Sequence, residues 1–347
     1  MKALMITAVL SASISGLALQ AQMTEHPVPS LVQNDGRYAL FVDGAPYLML
    51  GAQSNNSSNW PATLPEVWPA IEYLHANTLE TPIYWEQFEP RQGQFDYSEV
   101  DTVLAQAREH HVHLVLLWFG TWKNGSQHYM PEWMKLDPQR YFHVMNKEGE
   151  FVDSPSPFAA ASLEADKRAF AAFMQHLKEA DSERTVLMVQ VENETGTWGT
   201  VRDYSPEANK LFDGPVPAEA LKAMDKTPAA PGANWEAVFG PEAEVYFHAW
   251  AVSRYVGQVA AAGKAAYPLP LYVKITICFQ INQMAGYSMD LELVQDWFHD
   301  SPSQSSTSLV LPNLALSPRS PSGKPRSSAA AWSPEAEVSA ASIGSCG

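Results

Sequence analysis

Leu79–Phe119 reads LETPIYWEQFEPRQGQFDYSEVDTVLAQAREHHVHLVLLWF, and its changes of period decide the fold class. Leu79 to Trp85 is a short apolar run with the length and punctuation of a strand. Phe95 to His111 then places Val100, Val103, Leu104 and Ala107 at helical spacing, so one stripe of that helix faces a sheet. His113 to Phe119 is continuously apolar, as a strand covered on both faces is. Strand, helix and strand in this order form a βαβ unit with parallel strands.

The alternation extends both ways. Upstream, Tyr47 to Ala52 reads as a first strand and Leu64 to Asn77 as a helix, with Val67, Ile71 and Leu74 on its stripe. Downstream, Asp166 to Ala180 is helical, Val186 to Val191 is a fourth strand, and Pro241 to Ala266 is a long aromatic-rich helix before a fifth strand, Leu271 to Ile275. Residues 201 to 240, rich in Pro, Ala and Gly, make an excursion between strand four and that helix. A right-handed series of such units builds either a (β/α)8 barrel or an open doubly wound sheet. The first strand ends Gly51-Ala52-Gln53-Ser54-Asn55-Asn56, without the glycine spacing of a phosphate cradle, which removes the main support for a nucleotide-binding sheet. The expected fold is α/β, a (β/α)8 TIM barrel of which residues 47–275 supply the first five βα units.

Composition narrows the function. Hydrophobic residues make up 46% and charged residues 17% of 347, which excludes a disordered acidic chain or a coiled coil. A net charge of -16 sets most of the surface against nucleic acid and anionic membranes, and neutral ligands fit better. Eleven Trp and 13 Tyr offer flat faces to sugar rings, although large aromatics also fill cores. Residues 1–21 read as a signal peptide: Lys2 opens it, Ala3 to Leu19 is apolar, and small residues allow cleavage after Ala18 or Ala21. Ser11, Ser13 and Ser15 interrupt a run shorter than the ~20 residues of a membrane span. The chain is therefore expected to be exported, periplasmic or extracellular, with no membrane association after cleavage, and residues 22–46 form a lead-in. Cys278 and Cys346 are the only cysteines, so neither a disulfide framework nor a CxxC metal site is expected. His110, His111 and His113 fall where a helix enters a strand, away from the strand ends, and read as solvated or dipole-facing residues rather than metal ligands. No Gly-x-Ser-x-Gly turn follows a strand.

In a barrel the chemistry gathers where strands end. The expected strand ends carry Gln53, Asn55, Asn56, Trp85, Glu86, Glu89, Trp118, Trp122, Gln190, Glu192, Asn193 and Glu194, a set of amides, carboxylates and indoles suited to a polyol. Strand alternation puts Gln190, Glu192 and Glu194 on one face and Asn193 on the other until the strand frays, so side alone does not separate the two glutamates. One of Glu86 and Glu89 is expected to order its loop, and Trp122, in a loop, is a better stacking candidate than Trp118.

Four blocks resemble the retaining (β/α)8 clan of glycoside hydrolases, specifically the β-galactosidases of families 35 and 42. They are Gly51-Ala52-Gln53-Ser54, Tyr84-Trp85-Glu86-Gln87-Phe88-Glu89-Pro90 with Gly93-Gln94-Phe95-Asp96, Leu116-Leu117-Trp118-Phe119-Gly120 with Pro131-Glu132-Trp133, and Val189-Gln190-Val191-Glu192-Asn193-Glu194. The resemblance covers about Leu31 to Val273 and is most specific in its last block. It implies cleavage of terminal β-D-galactosyl residues with retention, without metal or organic cofactor. Glu194 would be the general acid/base, Asn193 would bind the sugar 2-hydroxyl, and a second carboxylate ~5–5.5 Å away would be the nucleophile. Gln53, Trp85, Glu86, Trp122 and Asn124 complete the expected substrate contacts. Family 35 commonly holds an acidic sugar-binding residue after strand three, where this chain has Gly120-Thr121-Trp122-Lys123-Asn124-Gly125. The expected partner is an oligosaccharide or another β-galactoside.

The pattern stops after Val273. Residues 301–347 contain 14 Ser and 6 Pro with Trp332 as their one aromatic, which reads as a Ser/Pro-rich tail without strand and helix alternation. Residues 276–347 are expected to be non-homologous and disordered, the product of a shifted frame or truncated gene, with a natural Ser/Pro-rich linker as the alternative, and Glu335 or Glu337 there gives no credible nucleophile. The chain as it stands is accordingly expected to be inactive, with a non-catalytic carbohydrate-binding remnant as the alternative.

Overall fold

The computed structural model describes residues 26–34, 37–228 and 230–274. The expectations for the signal peptide, for Cys278 and Cys346 and for the tail after Lys274 lie outside the described residues. The lead-in holds β1 (Ser30–Asn34), β2 (Arg37–Val42) and β3 (Ala45–Pro46), a three-stranded antiparallel sheet.

Five strands make the central sheet: β4 (Gly51–Gln53), then β5 (Thr78–Tyr84) and β6 (His113–Lys123), and, beyond a hairpin of β7 (His143–Met145) and β8 (Phe151–Pro155), β9 (Val186–Asn193) and β10 (Leu271–Lys274). All neighbours are parallel and lie in chain order, β4-β5-β6-β9-β10. That is the order of a barrel series and lacks the reversal that defines a doubly wound sheet. The sheet is strongly bent: Tyr272 on β10 donates its hydroxyl to Glu80 on β5, three strands away. On a flat sheet those strands would stand roughly 14 Å apart, too far for the two side chains to meet.

The connecting helices are α1 (Leu64–Tyr73), the single turn α2 (Trp85–Phe88), α3 (Ser98–Glu109), the short α4 (Glu132–Lys135) and α5 (Ala160–Ala180). Their buried stripes join Leu79, Ile83, Leu114, Leu116, Val189 and Val191 in the main core on the sheet's outer face. The expected stripe of α3 is the buried one, whereas in α1 it is Leu64, Trp68 and Ile71 that are buried; the helix ends at Tyr73, and Leu74 is exposed. Tyr84, Val115, Leu117 and Phe119 form a smaller cluster on the inner face. Helix α5 starts six residues before the expected Asp166, whose carboxylate serves the interior instead of a helix start.

Among the described residues, the excursion is partly helical. It contains α6 (Pro206–Phe212), α7 (Ala218–Ala223) and α8 (Trp235–Phe239), which gather Phe212, Trp235 and Phe239 around Phe247 and Trp250 of α9 (Ala243–Ala266). Helix α9 crosses α5 at Gly263, where an added Cβ would stand 2.2 Å from Phe170.

Candidate active site

The ends of β6 and β9 are out of step, and that mismatch builds the site. Trp118 pairs with Val191 and Lys123 with Asn193, so four residues of β6 stand opposite Glu192 alone. A bulge of this size strands backbone donors, and Glu192 meets one: its Oε2 accepts the Trp122 N–H at 2.8 Å. Glu192 adopts φ +62°, which breaks the alternation and turns its fully buried carboxyl toward the helices. Gly120 is needed beside it, because a Cβ there would lie 2.6 Å from Glu192 Oε1 and 2.5 Å from Trp118 Nε1.

Beyond the bulge the two loops are tied together. Asn124 and Gly125 donate their backbone N–H groups to the carbonyls of Asn193 and Glu194, at 3.2 and 2.9 Å. Glu194, at φ +53°, keeps 22% of its side chain exposed, and the Lys123 ammonium stands 3.8 Å from its Oε2. Lys123 also donates to the Asn124 side chain and lies over the Phe119 ring. Asn193 is buried, with an Oδ1 that no donor reaches. Glu194, Asn193 and Asn124 are thus brought together.

Other expected contacts are placed differently. Trp85 and Trp122 are fully buried, so neither ring has a face for a sugar. Trp85 lies against Trp118 and donates to Glu89, while Trp122 meets Tyr255 edge-on and donates to the Pro155 carbonyl. Both corrections have one cause: outward-pointing strand-end positions are roofed by α5 and α9, and indoles fill that layer. Glu86 is partly exposed and pairs with Lys135 at 3.3 Å. Glu89 is the loop-ordering residue, buried and accepting from Trp85 Nε1, the Gly93 N–H and Arg168. Gln53 is exposed on the edge strand β4. His110 stacks on Trp68 and pairs with Glu72, and His113 meets Tyr47 edge-on.

Two residues to which the sequence reading gave no role belong to this region. Trp198, 42% exposed, donates its indole N–H to the Asn124 carbonyl and covers Gly125. Lys123 supplies the cation beside Glu194; its place in a loop without an acidic residue was the available signal.

Burial controls the acids. It pushes the Glu192 carboxyl well above the usual range, and the neighbouring Asp166 carboxyl adds to the effect. Tyr255 is likewise pushed up, first by burial and then by Asp166 and Glu192, so its hydroxyl stays a neutral donor.

An acid and an amide at the mouth of a bent parallel sheet are the equipment of an enzyme that cleaves glycosidic bonds. Residues 58–264 match the model of glycoside hydrolase family 42, described as β-galactosidase, and the chain belongs to that family. Beta-galactosidase 11 of Arabidopsis thaliana is 31% identical over 121 residues, which cover 32% of this chain and 14% of the plant protein. Among solved structures, the β-galactosidase of Bacillus circulans sp. alkalophilus is similar with a TM-score of 0.48 at 12% identity, over 66% of this chain and 36% of that one. The cold-adapted β-galactosidase of Rahnella sp. R3 gives 0.47 at 18% identity, over 65% and 35%. The chain thus spans about a seventh of the plant relative and about a third of each solved chain.

Proposed function

We propose that this chain derives from an exported β-galactosidase that releases terminal β-D-galactosyl residues with retention, Glu194 acting as general acid/base. The observation that carries the reading is the partly exposed Glu194 carboxyl just past the end of β9, beside Asn193, the two tied through their carbonyls to the N–H groups of Gly125 and Asn124. An acid in that position protonates the leaving oxygen, and its neighbouring amide grips a sugar hydroxyl. Trp198 takes the stacking role for which Trp85 and Trp122 are too buried. Gln53 and Glu86 remain the proposed contacts of the rim.

The same reading takes residues 47–275 as the first five units of a barrel and expects little turnover from this polypeptide. Retaining cleavage uses two carboxylates as a unit, and the sequence assigns the nucleophile to no residue. Release of nitrophenol from an aryl β-galactoside by the purified chain, abolished in Glu194→Gln, supports the enzyme. Sugar-dependent tryptophan fluorescence without any turnover supports a carbohydrate-binding remnant instead. The absence of both turnover and galactose binding would end the galactosidase reading for this chain.

A further inference from the structure

Glu192 lies two residues before Glu194, yet its fully buried side chain faces away from the exposed acid. Its carboxyl adjoins Asp166 of α5, with Tyr255 of α9 the other titratable group against the pair and the Gly120–Trp122 backbone of β6 closing the remaining side. The donors are unequally shared. Asp166 Oδ1 accepts from Trp118 Nε1 at 3.0 Å, and its Oδ2 accepts from Thr121 Oγ1 at 2.7 Å. Since Thr121 gives its proton to Asp166, the 2.8 Å contact between Thr121 and Tyr255 has Tyr255 as donor, which makes a relay of hydroxyls ending on Asp166. Glu192 has the Trp122 N–H on Oε2 at 2.8 Å with the Thr121 backbone N–H close by, and its Oε1 makes no hydrogen bond to a protein donor. Two adjacent carboxylates in a dry site cannot both stay charged.

We propose that Asp166 and Glu192 hold one proton and one negative charge between them, the proton on Glu192, and that this pair is the strut that positions the β6 bulge carrying Lys123 and Asn124 against Glu194. Protonated Glu192 donates to Asp166 and accepts from Trp122, so it bridges α5, β6 and β9 with both ends satisfied. It is a positioning residue that never meets the sugar. The strut itself is independent of hydrolysis, and only its effect on Glu194 rests on the galactosidase reading.

The test uses the full chain with Glu192→Gln and Glu192→Ala. A glutamine copies the protonated acid, accepting from Trp122 and donating to Asp166, whereas alanine removes the bridge. The infrared difference spectrum of wild type minus Glu192→Gln at pH 7 should show the carbonyl stretch of a protonated carboxyl. Amide resonances of Thr121 to Gly125 should stay in place in the Gln variant and move or broaden in the Ala variant. A spectrum without the protonated band, or unmoved amides in the Ala variant, overturns the strut. If the Ala variant fails to fold, the infrared band alone decides. Where turnover is measurable, Glu192→Ala should lower kcat about tenfold or more with KM little changed, and Glu192→Gln should restore it. Equal rates in wild type and Glu192→Ala overturn the positioning role. Turnover that survives Glu194→Gln sinks the galactosidase reading and leaves the infrared result standing.

Discussion

Replacing Glu99 by Gln should make the protein more stable, and increasingly so as the pH rises. Glu99 sits in the first turn of α3, its Oε1 accepting from Asn59 Nδ2 at 3.1 Å while its Oε2 is buried without a donor. Burial pushes its carboxyl from 4.5 up to about 8; hydrogen bonds from the Tyr84 backbone and Asn59 oppose the shift, and Asp96 adds to it. Below pH 4.5 the folded and unfolded chains both carry the proton, and the wild type has its full stability from this group. As the pH climbs, the unfolded chain releases the proton while the folded chain retains it up to about 8, so wild-type stability falls through that window. The slope is ~1.36 kcal/mol per pH unit, which over this window sets an upper figure of about 5 kcal/mol; partial water access brings the expectation to about 3 kcal/mol. The Gln variant is the neutral isostere and carries no such dependence, and every other titration cancels in the difference. Urea unfolding followed by tryptophan fluorescence at pH 4.5, 6 and 8 measures it, and at a slope of ~2–3 kcal/mol/M the two midpoints should diverge by about 1 M or more. A difference that is flat with pH, or that moves in favour of the wild type, would refute the reasoning, because it would mean that Glu99 is ionised in the folded protein.

Gly263→Ala should lower the melting temperature, since its Cβ would stand 2.2 Å from Phe170 and 3.0 Å from Met174 and force α5 and α9 apart, at a cost of ~1–3 kcal/mol. Asp181→Ala should cost ~3–5 kcal/mol in denaturant unfolding, because this buried carboxylate accepts the Thr185 and Val186 N–H groups at 2.9 and 2.8 Å and pairs with Arg108 at 2.7 Å; Asp181→Asn should recover part of the loss. Gly120→Ala should disturb the bulge between Trp118 and Glu192, read as an altered near-ultraviolet dichroism of the indoles and a loss of ~1–3 kcal/mol.

The outer core was legible because its signals are local. The buried stripe of α3 and the apolar runs of β5, β6 and β9 follow from periods that hold within a few residues. The first strand was overextended for a reason no period encodes. Residues 47–50 read as apolar strand, yet the Asn77 side chain binds the Leu48 carbonyl and the Leu50 N–H at 2.8 Å each, so the ladder begins only at Gly51. The three helices of the excursion were missed because they are short and rich in Pro and Ala. Their order comes from aromatic contact with α9 and from Arg202, whose guanidinium lies 3.9 Å from the Tyr204 ring and 4.1 Å from that of Phe212.

At the site, the residues could be named but not their directions. Alternation assumes that paired strands advance in step, and here β6 gains three residues on β9 just where the chemistry begins. The slip carries the Trp122 ring under α9 and brings Lys123 to Glu194, so the stacking candidate becomes core and a residue read only as a departure from the family pattern becomes part of the site. It also divides the two glutamates that alternation left on one face. Glu192 is held in a left-handed conformation by its hydrogen bond to a bulged N–H and by the carboxyl of Asp166, both remote in sequence. Glu194, with the same sign of φ, keeps its side chain partly in solvent, and the Gly125 N–H takes up its carbonyl. Burial follows from that division: one carboxyl is kept dry beside Asp166, and the other stays partly in solvent at the mouth of the sheet.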